Sequence, residues 1–299
     1  MDQVLTLIAN PAAADLDDST TTAVRAALAA LGAETGEPDW LAPRLACDLP
    51  FDRLSTDQAV AAAAAALPGR PLDLVAQPAG GRRKRLLVAD MESTIIRQEM
   101  LDELADLAGI RPAVAEITWR AMNGEIDFKE ALVARVALLE GMPVDALEEV
   151  YGRVELMPGA GELIATMRAH GAACLLVSGG FKFFTRRIRE RLGFDEDQAN
   201  DLEIVDGRLT GRAVEPVLDK AAKLAALIAA AGQRRIPIRE TLAVGDGAND
   251  LPMLQAAGLG IAFHAKPSVA AQARARIDHG DLTALLYAQG YRHGEIRTS

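Results

Sequence analysis

Cysteine is scarce in this chain: two residues in 299, Cys47 and Cys174, lie far apart and without metal-ligand spacing. That excludes a disulfide scaffold and a thiolate metal site, and it suits a reducing compartment in which both thiols serve as small apolar fillers. Positive charge is also short. Against 42 Asp and Glu stand 32 Lys and Arg, giving a net charge of −10 and a pI near 5.0. Nucleic acid or an anionic membrane would need a clustered basic field, so neither is expected as a partner. The one local exception, Gly81-Arg82-Arg83-Lys84-Arg85, directly precedes an apolar run and is read as the solvated end of a linker. No apolar run approaches bilayer length, and Met1-Asp2-Gln3 lacks the basic start and sustained apolar stretch of a signal peptide. A soluble, cytoplasmic chain is the expectation. Internal repeats and low-complexity tracts are absent, the alanine runs being good helix formers.

What is present is strand and helix patterning in two blocks. Residues 1–80 offer an apolar strand at Val4 to Ala9, a helix from about Thr20 to Leu31 and a mixed stretch around Trp40 to Leu49. A helix from Ser55 to Leu67 and a strand at Leu72 to Ala76 follow. The order β-α-β-α-β indicates a small split βαβ sandwich, and the turn chemistry of Gln77-Pro78-Ala79-Gly80-Gly81 puts a boundary near residue 80. In residues 81–299, strand candidates at Arg85 to Ala89, Ala173 to Val177, Glu203 to Val205 and Thr241 to Val244 alternate with helical stretches. That pattern predicts an α/β fold, a Rossmann-like parallel sheet with helices on both faces. A helical insertion over about 97–155 follows its first strand and would cap that strand's carboxyl end. The stretch Glu203 to Thr210 carries an Asp206-Gly207 turn between apolar arms and reads as a hairpin.

Three strands end in polar groups at the same height of the sheet. Leu86 to Ala89 runs into Asp90, with Glu92, Ser93 and Thr94 just beyond; Cys174 to Val177 runs into Ser178-Gly179-Gly180; Leu242 to Val244 runs into Gly245-Asp246-Gly247-Ala248-Asn249-Asp250. In open α/β sheets, ligands bind at the carboxyl ends of the strands, so three converging polar ends mark a site. Asp90, Asp246 and Asp250 would repel one another unless a hard divalent cation lay between them. Mg²⁺ fits best, since it takes oxygen ligands from one or two carboxylates together with substrate phosphate. A calcium loop fits poorly, because its twelfth position is Ala257. Ser178 and the backbone amides after it can bind phosphate oxygens. Lys220 and Lys223, ahead of the third strand, can balance the charge. Asp90 could then attack phosphorus, with Glu92 protonating the leaving alkoxide and later deprotonating water. Taken singly, each group also reads as an ordinary turn or loop residue.

The motifs Asp90-Met91-Glu92-Ser93-Thr94, Ser178-Gly179-Gly180-Phe181, Lys223 and Gly245-Asp246-Gly247-Ala248-Asn249-Asp250-Leu251-Pro252-Met253-Leu254 resemble the four motifs of the haloacid dehalogenase superfamily. Their order and approximate spacing are those of its phosphoserine phosphatases. The likeness covers about residues 85–290 and continues through Ile261-Ala262-Phe263-His264-Ala265-Lys266-Pro267. It implies Mg²⁺-dependent hydrolysis of O-phospho-L-serine through an aspartyl-phosphate, the last step of serine biosynthesis. By the same resemblance, Asp90 is the nucleophile and Glu92 the acid and base. The metal ligands implied are Asp90, Asp246 and the Glu92 carbonyl, with Asp250 supporting them. Ser178, Gly179, Lys223 and Asn249 are implied to hold phosphate or substrate, Lys223 being preferred to Lys220 on spacing. Cap residues Glu99 and Arg135 match those that hold the amino and carboxylate groups, and Met122 and Phe128 the apolar positions that close over the substrate. An ACT-like regulatory domain is the N-terminal counterpart in such enzymes. Glu92 departs from the usual Asp, as in phosphoserine:homoserine phosphotransferases, so transfer to another hydroxyl is one alternative; a weakly catalytic amino-acid sensor is another. Oligomeric state is left open, a homodimer included.

Overall fold

The structure, a computed structural model, describes residues 1–122, 125–218 and 221–298, the Met122 side chain excepted. Asn123, Gly124 and Lys220, which entered the sequence reading, lie outside the described residues.

The first sheet is built from β1 (Gln3–Ala9), α1 (Asp18–Ala30), β2 (Glu34–Thr35), β3 (Asp39–Ala42), β4 (Ala46–Asp52), α2 (Thr56–Ala66) and β5 (Leu72–Pro78). Its order is β2-β4-β1-β5, with β3 also paired to β4, and every pairing is antiparallel. The expected β-α-β-α-β order is thereby corrected. The mixed stretch around Trp40 to Leu49 is two strands joined by a turn in which Arg44 takes a left-handed φ of 62°. Its short, half-exposed first arm carries no clean period-two signal. α2 starts at a capping box in which Ser55 and Gln58 satisfy each other's backbone N–H, a device worth about 1 kcal/mol. One face of the sheet packs Leu5, Leu7, Leu49 and Phe51 against Val24 and Leu28 of α1 and Ala59 and Ala63 of α2.

The second sheet holds β6 (Leu86–Ala89), β7 (Ala173–Phe181), β8 (Glu196–Val205), β9 (Arg208–Val214), β10 (Thr241–Gly245), β11 (Leu259–Phe263) and β12 (Ala275–Ile277). Its order is β12-β11-β10-β6-β7-β8-β9, parallel except for the terminal hairpin β8–β9. Asp206 and Gly207 both have positive φ in that hairpin turn, 50° and 73°. β8 reaches back to Glu196, seven residues beyond the expected strand, through the polar run Glu196-Asp197-Gln198-Ala199-Asn200, which hydropathy alone does not show as a strand. β11 and β12 were likewise not anticipated.

Helices α3 (Met100–Leu107), α4 (Arg111–Met122), α5 (Phe128–Ala137) and α6 (Asp145–Tyr151) form the insertion after β6. The other α-helices among the described residues are α7 (Ala160–Ala169), α8 (Lys182–Leu192), α9 (Ala222–Gln233), α10 (Leu251–Ala256), α11 (Pro267–Ala270) and α12 (Ala284–Ala288). All four residues of β6 are fully buried, alternating between two apolar layers: Leu87 and Ala89 in one, Leu86 and Val88 in the other. A strand covered on both faces reads as an unbroken apolar run, and this one occupies the centre of the sheet. Among the described residues no helix is long and apolar enough to cross a membrane.

The basic run 81–85 is not simply solvated, a second correction. Arg82 pairs with the buried Asp48 of β4, Arg83 binds Glu295 and lies over the Tyr291 ring, and Arg85 meets Glu240. Lys84, only 7% exposed, donates to the Gly81 and Arg239 carbonyls. One apolar cluster also runs from Ile8, Leu41 and Val75 of the first sheet to Tyr287 and Tyr291 near the C-terminus. Neither the partners of the cations nor this shared core could be seen from local spacing.

Candidate active site

β10, β6 and β7 are adjacent, and the chain leaves β6 toward β7 but returns on the other side at β10. The strand order thus reverses beside β6, where an open α/β sheet leaves a crevice at its carboxyl edge. Asp90 follows β6 there, its N–H donating to the Val244 carbonyl at 3.0 Å. The chain then turns sharply, with Ile95 and Ile96 amides on the Met91 carbonyl and Ser93 at φ 55°. Met91, Ile95 and Ile96 are buried, anchoring the loop that carries the two acids.

Lys223, in the first turn of α9 and 4% exposed, reaches Asp90 Oδ1 at 2.6 Å and Asp250 Oδ1 at 2.7 Å. Asp250 Oδ2 accepts from the Gly247 amide at 2.9 Å. A Cβ on Gly245 would stand 2.3 Å from Asp250 Cγ, so only glycine lets this carboxylate pack behind β10. Oxygens of Asp90, Asp246 and Asp250 all lie within 4.8 Å of one another. Burial, then the carboxylates of Asp250 and Asp246, push the Asp90 carboxyl above its usual range, while Lys223 opposes them. Burial and Asp250 raise Asp246 to about 6. Lys223 is held above the ordinary lysine range by its two carboxylates, which outweigh burial. Three acids around one ammonium leave uncompensated negative charge, and an all-oxygen donor set suits a hard divalent cation.

Glu92 accepts from the Met100 amide at 2.9 Å and from Ser178 Oγ at 3.3 Å. Its carboxylate occupies the space a side chain at residue 180 would take: a Cβ on Gly180 would meet Glu92 Oε2 at 2.7 Å. The extra methylene relative to aspartate is accommodated in this way. Burial, followed by the neighbouring Glu99, raises Glu92 to about 7.

A cavity of about 190 Å³ opens over these groups. Asp90, Glu92, Glu99, Phe128, Arg135, Gly179, Lys223, Asp246 and Asn249 all line it, bringing together most of the residues singled out in the sequence. Ser178 and Asp250 sit behind the wall, fully buried; the Ser178 hydroxyl is engaged by the Gly180 amide and Glu92. The Met122 side chain is outside the described residues. Above the sheet, Phe128 opens α5 after the Asp127–Glu130 capping box, and its ring tip would lie 3.1 Å from a Cβ on Gly179. Glu99 accepts from Ser93 Oγ at 2.7 Å. Arg135 donates through Nε to the Ala131 carbonyl, with no ion pair to its guanidinium among the described residues. Burial lowers its pKa, and the carboxylates of Glu92, Asp102 and Glu99 oppose that fall.

Two charged lining residues were missed, Asp102 and Lys266. Asp102 lies within the first turn of α3. Lys266 stands three residues past β11, in the run Ile261 to Pro267 already noted in the sequence; recognising Leu259 to Phe263 as a strand would have placed it at the ligand edge.

An aspartate closing the central strand, a buried lysine between carboxylates and a helical insertion over the cavity thus meet in one site. The chain belongs to the haloacid dehalogenase-like hydrolases, whose family model matches residues 87–255. It is 46% identical over 218 residues to phosphoserine phosphatase SerB2 of Mycobacterium tuberculosis, covering 73% of this chain and 53% of that one. With a phosphoserine phosphatase of Polaromonas sp. it shares 49% identity over 208 residues, 68% of this chain and 88% of the relative. A solved structure, the unliganded form of a probable phosphoserine phosphatase from Vibrio cholerae, superposes with a TM-score of 0.79 at 33% identity over 98% of this chain and 88% of that chain. The chain spans 53% to 58% of the length of the first three curated relatives it matches.

Proposed function

We propose that the chain hydrolyses O-phospho-L-serine to L-serine and inorganic phosphate, through a phosphorylated Asp90. The observation that carries this reading is a cavity in which Asp90 and Glu92, just past β6, and Lys223 of α9 face Arg135 and Glu99 of the helical insertion. The names of the relatives support it. Asp90, Asp246 and the Glu92 carbonyl would hold Mg²⁺, with Asp250 fixing the site from behind. The ion would neutralise phosphate charge and align the phosphoryl group.

In the first half-reaction an Asp90 carboxylate oxygen attacks phosphorus, the bond to the serine oxygen breaks, and that oxygen takes the proton of Glu92. Lys223 counters charge on the phosphoryl oxygens. In the second half-reaction Glu92, now ionised, takes a proton from water as the water attacks phosphorus, releasing phosphate and restoring Asp90. Arg135 would bind the substrate carboxylate and Glu99 its ammonium, while Phe128 and the Met122 position exclude water. Transfer to a second alcohol and an amino-acid sensor of weak turnover are not favoured by relatives named as phosphatases. A division near residue 80, an ACT-like role for the first sheet and a cytoplasmic location belong to this reading; the two free, buried thiols support the last.

Phosphate release from a panel of phosphomonoesters, with Mg²⁺ and with EDTA, tests the proposal. Phosphoserine should lead the panel and EDTA should abolish release; metal-independent turnover, or no preference for phosphoserine, would refute it. Arg135→Ala should raise KM for phosphoserine by about 10- to 100-fold, yet leave a substrate without a carboxylate within about threefold. Equal shifts would remove Arg135 from the substrate site.

The pH profile offers a separate check. The first half-reaction needs Glu92 protonated, and its carboxyl sits at about 7. The protonated fraction falls as pH rises through that value, so kcat/KM should decline above it. Glu92→Gln should remove that limb and cost about 10²- to 10⁴-fold in turnover.

A further inference from the structure

Asp73 of β5 is 3% exposed and has no ion pair among the described residues. Instead its carboxylate accepts from three successive backbone amides beyond β12: Asp278 at 2.7 Å, His279 at 3.1 Å and Gly280 at 2.7 Å. The Gly280 carbonyl in turn accepts from His264 Nε2 at 2.8 Å, which makes Nε2 the protonated ring nitrogen. His264 directly follows β11, with its ring stacked on Phe263 at 4.2 Å and its backbone left-handed at φ 44°. Its own amide donates to the Ile277 carbonyl at 2.8 Å. Two residues on, Lys266 lines the active-site cavity.

Such a chain is costly as mere packing. A left-handed non-glycine residue costs on the order of 1 kcal/mol, and burying a carboxylate is repaid only through its hydrogen bonds. Apolar contacts already join the two sheets, through Ile8, Leu41 and Val75. The polar chain adds direction: it leads from the first sheet to one particular loop. At its end stands a cation at the rim of a cavity rich in carboxylates, where it adds attraction for an incoming phosphate dianion.

We infer that Asp73 is a positioning residue for the candidate active site: through the 278–280 amides and the Gly280–His264 hydrogen bond it holds the turn that places Lys266 at the cavity. Its kinetic consequence rests on the phosphatase reading; its structural consequence does not. The first sheet thereby acts on substrate capture without contributing a group to the chemistry.

Asp73→Asn replaces one accepting oxygen by an NH₂ group facing amide donors. In the full chain, Asp73→Asn and Lys266→Met should each raise KM for phosphoserine about three- to tenfold, with kcat within about twofold. The double variant should be no worse than Lys266→Met alone, because Asp73 acts through that lysine. Additive effects would mean that Asp73 acts on KM independently of Lys266, and would overturn the inference. Amide hydrogen exchange gives a readout without turnover: Asp73→Asn should speed exchange at His264, and unchanged protection there would also overturn it. Should wild-type protein fail to hydrolyse phosphoserine, the phosphatase reading falls, while exchange still decides the positioning role. If Asp73→Asn does not fold, His264→Ala, at an exposed position, breaks the chain one link nearer the cavity and should give the same rise in KM. A wild-type KM in His264→Ala would equally sink the proposal.

Discussion

Asp90→Asn should lower phosphoserine turnover by at least about 10⁴-fold while leaving the melting temperature within a few degrees of wild type. The amide has nearly the shape of the carboxylate but cannot attack phosphorus. Its structural cost is small because Lys223 keeps Asp250 at 2.7 Å and the variant removes one charge from a crowded acidic cluster. Steady-state phosphate release, paired with thermal melts, separates the two effects. Turnover within tenfold of wild type would show that the phosphoryl group is not carried by Asp90. The pairing of assays matters, since loss of activity with loss of fold would say nothing about a nucleophile.

Lys223→Met should have the opposite profile, in which stability suffers along with activity. Removing the lysine leaves the buried carboxylates of Asp90 and Asp250 without their shared cation, and breaking a buried pair from one side costs about 3–5 kcal/mol. The sign of the pH dependence follows from Asp90. Its carboxyl is already raised by burial and by its acidic neighbours, and Lys223 opposes that rise. Without Lys223 the folded-state value climbs further above the unfolded one. A carboxyl raised on folding penalises the folded state progressively as pH rises from the unfolded value through the folded one. The deficit should therefore be smaller at about pH 5 than at about pH 7.5, as read by urea denaturation at both. An equal deficit at the two pH values would argue against an electrostatic origin. Added Mg²⁺ should stabilise the variant more than wild type, because the cation would fill part of the missing charge.

Glu92 shows how a local departure is absorbed by tertiary structure. Its longer side chain bends into the space left by Gly180 and ends on the Met100 amide, at the start of α3. In sequence these residues lie 88 and 8 positions away, so the accommodation has no local signature. The same holds for the basic run 81–85, whose cations find Asp48, Glu240 and Glu295 across the fold. Its composition indicates a linker end; only packing reveals a clamp.

By itself the sequence determined the elements whose signals are short-range: the buried central strand Leu86 to Ala89, the capped helix α2, the Asp206-Gly207 hairpin and the order of the polar strand ends. These follow from side-chain periodicity and turn chemistry within a few residues. It also carried the motif likeness that named Asp90, Lys223, Asp246 and Asp250 together. Tertiary structure decided the strands hidden in the polar start of β8 and in the irregular stretch at β3, where pairing outweighs hydropathy. It decided too which lysine lies between Asp90 and Asp250, how Ser178 is turned behind the cavity wall, and that Asp73 meets the 278–280 amides. Each of these depends on groups distant in the chain being held within hydrogen-bond range, and a charge's partners and its desolvation are properties of the folded molecule.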